Sequence, residues 1–525
     1  MGVGARKHLF GLLLVLGAGG CAVGPDFKGA HSWWSPTSWF GSRPRAALAS
    51  EPVPETVDPN WWQLFQDPEL TSLENRVAAA NLDIRVAGLR LAESRAQLTV
   101  AQADQFPRLV ADGSYTRERV SPRGVLALEG AAPGAAASAT PGTTTTTNSF
   151  ASQGSVANGL GGRAGAVPNT AAAPFNLWQY GFDASWELDL WGRVRRQVES
   201  SRASLAQARE MQRNQLVSVQ AELARDYVEL RGAQRKLQIT QENLDADRQS
   251  LKLTQERAAG GLTTQLDVAN AQAQVSTAAS QLPQLEQQET QTINAISLLL
   301  GQPPSALAAE LREPRPIPPV PPSVPVGLPS ELTRRRPDIR EAEAQLHAAT
   351  AEIGVAIADF FPQVTLSGSV GIQALLAKNL GNWGARQYGL GPSITVPIFE
   401  AGRLRGTLEL RRQQQQEAAI NYQRTVLQAL HDVDNALAAY DAEQRRRVQL
   451  EQAVAANRQA LDLARQRYTQ GISTFLDVLD AERSLLAAEQ QLTDSTTTVS
   501  TNLVALYKAL GGGWEDTYPL QGSDI

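Results

Sequence analysis

The chain carries one cysteine, Cys21, among 525 residues, so neither an internal disulfide nor a thiolate zinc cage can form. Histidine is nearly as scarce. His8, His31, His347 and His431 are too scattered to suggest a metal site or a catalytic triad. No GxxxxGK phosphate loop, HExxH helix or GxSxG elbow occurs, and nothing in the chain points to an enzyme or to a cofactor. The formal net charge is -5, with no cluster of Lys and Arg of the kind that neutralises phosphates, which excludes nucleic acid as a partner. Beyond the N-terminus no segment holds the roughly 18 consecutive apolar residues of a membrane helix. A mature chain that crosses a membrane must then do so as a closed β-barrel.

What the N-terminus does have is order. Arg6, Lys7 and His8 precede an apolar run from Leu9 to Leu16, then Ala18-Gly19-Gly20 and Cys21. Charge, grease and small residues in that sequence make residues 1–20 a secretory signal and Cys21 the lipidated first residue of the mature chain. A lipoprotein cleavage site usually has Leu where Ala18 stands, and ordinary cleavage beside an incidental cysteine is the alternative.

Length alone suggests three or four domains, but the chain is written twice. Arg257 is matched by Arg467, Gly261 by Gly471, Thr264 by Thr474, Leu266-Asp267-Val268 by Leu476-Asp477-Val478, and Gly301 by Gly511, all at one offset. Asp83-Ile84-Arg85 is matched by Asp338-Ile339-Arg340 and Phe106-Pro107 by Phe361-Pro362 at a longer one. The offsets differ because the first copy carries an insertion over about 120–174, rich in Ala, Gly, Ser and Thr, whose composition predicts a mobile loop. The expected organisation is a first repeat over 69–301, a Pro-rich linker over 302–330, a second repeat over 331–511 and a tail over 512–525. Residues 21–68 form an N-terminal segment before the first repeat.

Each repeat reads as helix, two strands, long helix, turn and returning helix. Val77, Ile84, Leu91 and Leu98 recur every seven residues, as do Leu332, Ile339, Leu346, Ile353 and Phe360, which suits one helix packed side by side with its neighbours in each copy. Leu230, Leu237, Leu244 and Leu251 carry the theme into the long helix. Proline is missing from Arg193 to Arg257 and from Arg403 to Tyr518, so helices on the order of 100 Å are expected, with a kink at Pro283 in the first returning helix.

Strands are expected over about 107–119, 176–190, 362–373 and 387–399. Trp178, Tyr180, Phe182, Ala184, Trp186, Leu188 and Leu190 alternate with polar and acidic residues, and Tyr388, Leu390, Pro392, Ile394, Val396 and Ile398 do likewise. A lipid-embedded barrel wall has this alternation, as does a half-buried soluble sheet. The signal peptide, the clustered aromatics and the lack of a membrane helix favour the barrel. Four strands cannot enclose a lumen, so several protomers must share one barrel, and three would give twelve strands.

Cys21-Ala-Val-Gly-Pro-Asp-Phe27, Trp62-Gln-Leu-Phe-Gln-Asp-Pro68 and Gly327-Leu-Pro-Ser-Glu-Leu-Thr-Arg-Arg-Arg-Pro-Asp-Ile339 closely resemble the outer membrane lipoproteins of tripartite efflux systems, the TolC-like outer membrane factors. The resemblance covers nearly the whole chain. It implies an α+β membrane protein that forms a homotrimer, with a long periplasmic α-barrel and a shared twelve-stranded β-barrel in outer membrane lipid. It also implies the role of passive exit duct for small molecules, joined through a periplasmic adaptor protein to an inner membrane transporter of RND type. By the same analogy, Ala22 rather than Asp after Cys21 implies retention in the outer membrane. An exit duct for secreted polypeptides and a lipid-anchored periplasmic scaffold without a pore are the alternatives.

The duplicated Gly-Thr-Leu-Asp-Val stretches then correspond to two helix-turn-helix tips, about 258–267 and 468–477, at the periplasmic end. Gly261-Leu262-Thr263-Thr264 and Gly471-Ile472-Ser473-Thr474 are where an adaptor would dock. Thr264 with Asp267 and Thr474 with Asp477 fit a capping box, which by itself explains most of the repeated pattern. It does not explain Asp480, whose counterpart is Asn270. The resemblance assigns Asp477 and Asp480 to an acidic gate ring; a solvated helix face is the plain alternative. It also implies a clasp between the tips made by Asp267 and Tyr468; because Ser473 stands where the family has an arginine, the clasp is expected to be weaker here or made by other residues.

Overall fold

Two helices of 67 residues each, α3 (Arg193–Ala259) and α6 (Arg403–Thr469), dominate the computed structural model, which describes residues 22–29, 49–119 and 174–518. At 1.5 Å per residue each is about 100 Å long. Both start after a glycine in the left-handed conformation, Gly192 (φ 85°) and Gly402 (φ 88°). The signal peptide, Cys21 and the insertion lie outside the described residues.

The chain divides into two compact units. The first holds the helices: α1 (Pro68–Ala80), α2 (Leu82–Ala103), α3, the returning α4 (Gln265–Leu299), α5 (Pro337–Ala358), α6 and the returning α7 (Phe475–Leu510). Two short strands, β1 (Glu51–Val53) and β4 (Ser323–Pro325), pair in parallel and tie the N-terminal segment to the Pro-rich linker. Trp61, stacked on Tyr507 at 5.4 Å, belongs to the largest core of this unit, with Phe65, Leu216, Leu223, Leu503 and Trp514. Among the described residues no helix is long and apolar enough to cross a membrane.

The helix expected at the head of each repeat is broken once. Asn81 and Arg336, which correspond to each other between the copies, both have extended backbone (ψ 132° and 120°). The seven-residue register runs across the break, with Val77, Ile84, Leu332 and Ile339 all buried. Pro337 explains the second break, since a residue before proline avoids the helical region. Pro283 lies inside α4 without ending it. Gly232, the single interior glycine of α3, marks the crossing of α7, because a Cβ there would collide with the side chain of Thr497.

The second unit is an antiparallel sheet of β2 (Arg108–Glu118), β3 (Phe175–Leu188), β5 (Gln363–Ala374) and β6 (Arg386–Thr395), in that spatial order. β3 stops before Leu190, and the Trp191 carbonyl accepts from the Val23 amide at 3.0 Å rather than from a strand. β6 stops at Thr395, ahead of Pro397, which has no N–H to give a ladder. The register sorts the side chains into rows. Ala111, Phe182, Val370 and Tyr388 form one apolar row, and Leu188, Val364 and Ile394 another. Glu187, Thr365 and Ser393 form a polar row on the opposite face, as do Ser185, Ser367 and Gly391. Neither face is covered: on the apolar face Tyr388 is 88% and Leu390 81% exposed, and on the polar face Gln387 and Ser393 are exposed as well.

Candidate functional site

The two turns that join each long helix to its returning helix are built alike. The Leu262 amide donates to the Arg257 carbonyl at 2.8 Å, and the Ile472 amide to the Arg467 carbonyl at 2.9 Å. Gly261 (φ 70°) and Gly471 (φ 73°) supply the left-handed residue that lets the chain reverse. Thr264 then opens α4. Its hydroxyl accepts from the Asp267 amide at 3.3 Å, while the Asp267 carboxylate accepts from the Thr264 amide at 3.2 Å. At the second tip the Asp477 carboxylate accepts from the Thr474 amide and hydroxyl, both at 3.0 Å. Capping accounts for the repeated Thr-x-x-Asp pattern, as the spacing suggests.

The tips differ in what lies beneath them. Tyr468 and Phe475, tilted rings 5.6 Å apart, head a core with Val478, Leu479, Ala271 and Leu461. With Val478 and Leu479 buried in that core, Asp477 and Asp480 are left exposed on the other side of α7.

The expected pairing of Asp267 with Tyr468 is not formed. The Thr263 hydroxyl, at 2.5 Å, and the Thr264 groups hold the Asp267 carboxylate inside its own tip. The Thr263 hydrogen bond in particular holds its pKa below the usual carboxylate range. The Tyr468 and Ser473 hydroxyls have no hydrogen-bond partner. The tips are joined instead by Arg257, near the end of α3, and not by a residue at the position of Ser473. Its guanidinium lies 4.6 Å from the centre of the Tyr468 ring and donates to the Thr469 carbonyl at 3.4 Å.

Both tips present grease to water. Leu262 is 71% and Ile472 63% exposed, and Leu266 and Leu476, one helical turn on, are exposed as well. The four occupy equivalent positions in the two copies.

Further along the helices from the tips, a polar network crosses the wall. Ser250 on α3 and Arg465 on α6 both donate to one oxygen of the buried Glu482 on α7, at 3.0 Å each. The buried Asp247 on α3 accepts from Gln274 on α4 at 3.3 Å, and Arg483 on α7 donates to the Gln274 carbonyl at 3.0 Å. Burial first, and Glu482 second, push the Asp247 carboxyl up to about 6. Comparing the copies exposes this network in sequence, since Asn457 stands opposite Asp247 and Gln272 opposite Glu482.

Among the described residues no group of three or more His, Cys, Asp or Glu is placed to hold a metal ion.

This fold is shared with known channels. The chain matches the Outer membrane efflux protein family over residues 73–302 and 328–512, and it belongs to that family. It is 31% identical to the outer membrane protein OprJ of Pseudomonas aeruginosa over 514 residues, 97% of each chain. It is 30% identical to the solvent efflux pump outer membrane protein SrpC of Pseudomonas putida, over 96% of this chain and 97% of that one. The solved outer membrane channel OprN aligns with a TM-score of 0.79 at 33% identity, over 94% of this chain and 100% of that one. The protein is therefore an outer membrane efflux duct of the TolC-like class, and its relatives are channel proteins rather than enzymes.

Proposed function

We propose that three copies of this chain form one tube, which passively conducts drugs, solvents and other toxic small molecules out of the cell. A periplasmic adaptor links it to an inner membrane transporter of RND type. The observation that carries this reading is the sheet of the second unit. It is apolar on one face, uncovered on both, and ends in two unpaired edge strands, β2 and β6. Such a sheet is an aggregation hazard in water. Three of them closed edge to edge give twelve strands with grease toward lipid and polar rows toward a water-filled lumen. Exposed apolar residues on α2 (Leu82, Val86, Leu89, Val100) and α6 (Leu410, Ile420) supply further surface for a neighbouring copy.

In the trimer the exposed Asp477 and Asp480 bring six carboxylates to one constriction, an acidic mouth that favours hydrated cations. The exposed Leu262, Leu266, Ile472 and Leu476, with Gly261, Thr263, Thr264, Gly471, Ser473 and Thr474 shaping the turns, receive the adaptor. Cys21 carries the lipid anchor. The residue after it, Ala22, packs on the residue before α3: a Cβ on Gly192 would lie 2.7 Å from the Ala22 Cα.

Planar-bilayer recording tests the gate. The double variant Asp477→Ala/Asp480→Ala is expected to show larger and less cation-selective conductance than the unsubstituted duct. Unchanged conductance and selectivity would remove both residues from the gate.

A further inference from the structure

We propose that Asp247 and Glu482 form a proton-operated latch between α3 of the first copy and α7 of the second, closed when one proton is held at Asp247 and strained when it leaves. This deepens the duct reading, on which its consequence for opening rests.

The geometry is unusual for a solvated helix bundle. Both carboxylates are about 5% exposed, while Arg465 and Arg483, the cations that reach the network, are themselves partly or largely exposed. Arg465 satisfies only one oxygen of Glu482. The other, Oε2, is buried with no hydrogen-bond partner. Asp247 has no cation in contact and accepts only from a neutral amide, Gln274. Every helix packed around the pair contributes: Asp247 and Ser250 from α3, Gln274 from α4, Arg465 from α6, and Glu482 and Arg483 from α7. The pair Arg458–Glu489 lies further along the wall and is closed on itself at 2.8 Å.

Two buried carboxylates served by so little positive charge are stable together when one is neutral. A proton taken from periplasmic water onto Asp247 removes the repulsion and leaves the packing intact. When it returns to water, two like charges face each other in a medium of low dielectric, and separating α3 from α7 relieves them. The direction with pH follows from the raised carboxyl of Asp247. The packed wall keeps its proton up to about pH 6, whereas an Asp in water releases it near 3.8. The packed state thus binds more protons than the parted one across that window, and its stability falls as pH rises through it, then levels off. Glu482 lies two residues beyond Asp480 on α7, so the latch acts on the helix that carries the proposed gate.

The copies themselves furnish the control. Asn457 and Gln272, at the places equivalent to Asp247 and Glu482, carry no charge, so the helix segment around Asn457 repeats the one around Asp247 without its carboxylate.

Amide hydrogen exchange on the full-length protein in lipid nanodiscs tests the proposal, with rates corrected for the intrinsic effect of pH. Between about pH 5 and about pH 7.5, protection in residues 244–251 and 479–486 is expected to fall about tenfold. Residues 454–461, which hold Asn457 and no member of the network, are expected to hold theirs. Asp247→Asn keeps the shape and the Gln274 bond without the charge and is expected to abolish the fall; Glu482→Gln removes the repulsion but leaves Asp247 buried, and is expected to reduce it. An equal fall in either variant, an equal fall in residues 454–461, or no fall in the unsubstituted protein would overturn the latch. The Asp477→Ala/Asp480→Ala variant is expected to keep the fall, since the latch does not use those carboxylates. If that variant conducts normally yet keeps the fall, the gate assignment fails and the latch stands.

Discussion

The side-chain amide of Asn81 donates to the backbone carbonyl of Leu299 at 2.8 Å, joining the break in the first helix of one repeat to the end of its returning helix. The second repeat makes the same junction with different chemistry. Arg336, equivalent to Asn81, donates to the carbonyl of Ala509, equivalent to Leu299, at 2.9 Å. Gly301 and Gly511 follow in left-handed conformation, and a Cβ on either would strike the break, 2.9 Å from the Ala80 carbonyl or 2.7 Å from Arg336 Cγ. The terminal carbonyls of α4 and α7, which lack partners inside their helices, are thus answered from the break.

Replacing Asn81 removes both this bond and the cap it provides to the Asp83 and Ile84 amides. Asn81→Ala is expected to cost about 1–2 kcal/mol in urea unfolding of the detergent-solubilised protein. Arg336→Ala also strands the carboxylates of Asp338 and Asp432 and should cost more, about 3 kcal/mol. The opposite order would show that the arginine network contributes less than a simple cap.

Gly232→Leu forces a side chain into the space that Thr497 fills. A destabilisation of about 2–3 kcal/mol is expected by overpacking. Adding Thr497→Ala should recover part of it, and a double variant no better than the single one would mean that α3 and α7 do not meet there.

The apolar and polar rows of the sheet predict opposite tolerance to charge. Leu390→Arg, on the apolar face, is expected to cost about 2–4 kcal/mol in unfolding from lipid vesicles if the site is near the bilayer centre. Ser393→Arg, on the other face, should be nearly neutral to stability and should shift ion selectivity toward anions. Equal costs would contradict the assignment of the two faces.

Arg257→Ala removes the contact that spans the two tips. A guanidinium over an aromatic ring at a partly exposed site is worth about 1 kcal/mol, so single-channel openings are expected about fivefold more often. Lys at this position keeps the charge and should restore part of the closed time. No change in open probability would mean that Arg257 does not restrain the tips.

Much of this was legible in the sequence, for physical reasons. Long proline-free stretches predict long helices wherever else they pack, and Gly followed by Thr-x-x-Asp writes a reversal and a cap whose geometry is local. The breaks at Asn81 and Arg336 were hidden because the buried positions on either side keep their seven-residue spacing, so periodicity saw one helix. Only Arg336-Pro337 carried a warning. The Tyr468–Asp267 pairing failed because two neighbouring threonines answer Asp267 locally. Arg257 came to Tyr468 from another helix, a relation that no spacing along the chain records. The Asp247–Glu482 network was visible only as a departure from the internal repeat.

The account turns on the uncovered sheet being one third of a barrel. Native mass spectrometry of the detergent-extracted protein tests this most directly. A particle of three chain masses is predicted, with no lone chain surviving detergent removal in soluble form. A single chain that stays folded and soluble without detergent would contradict it.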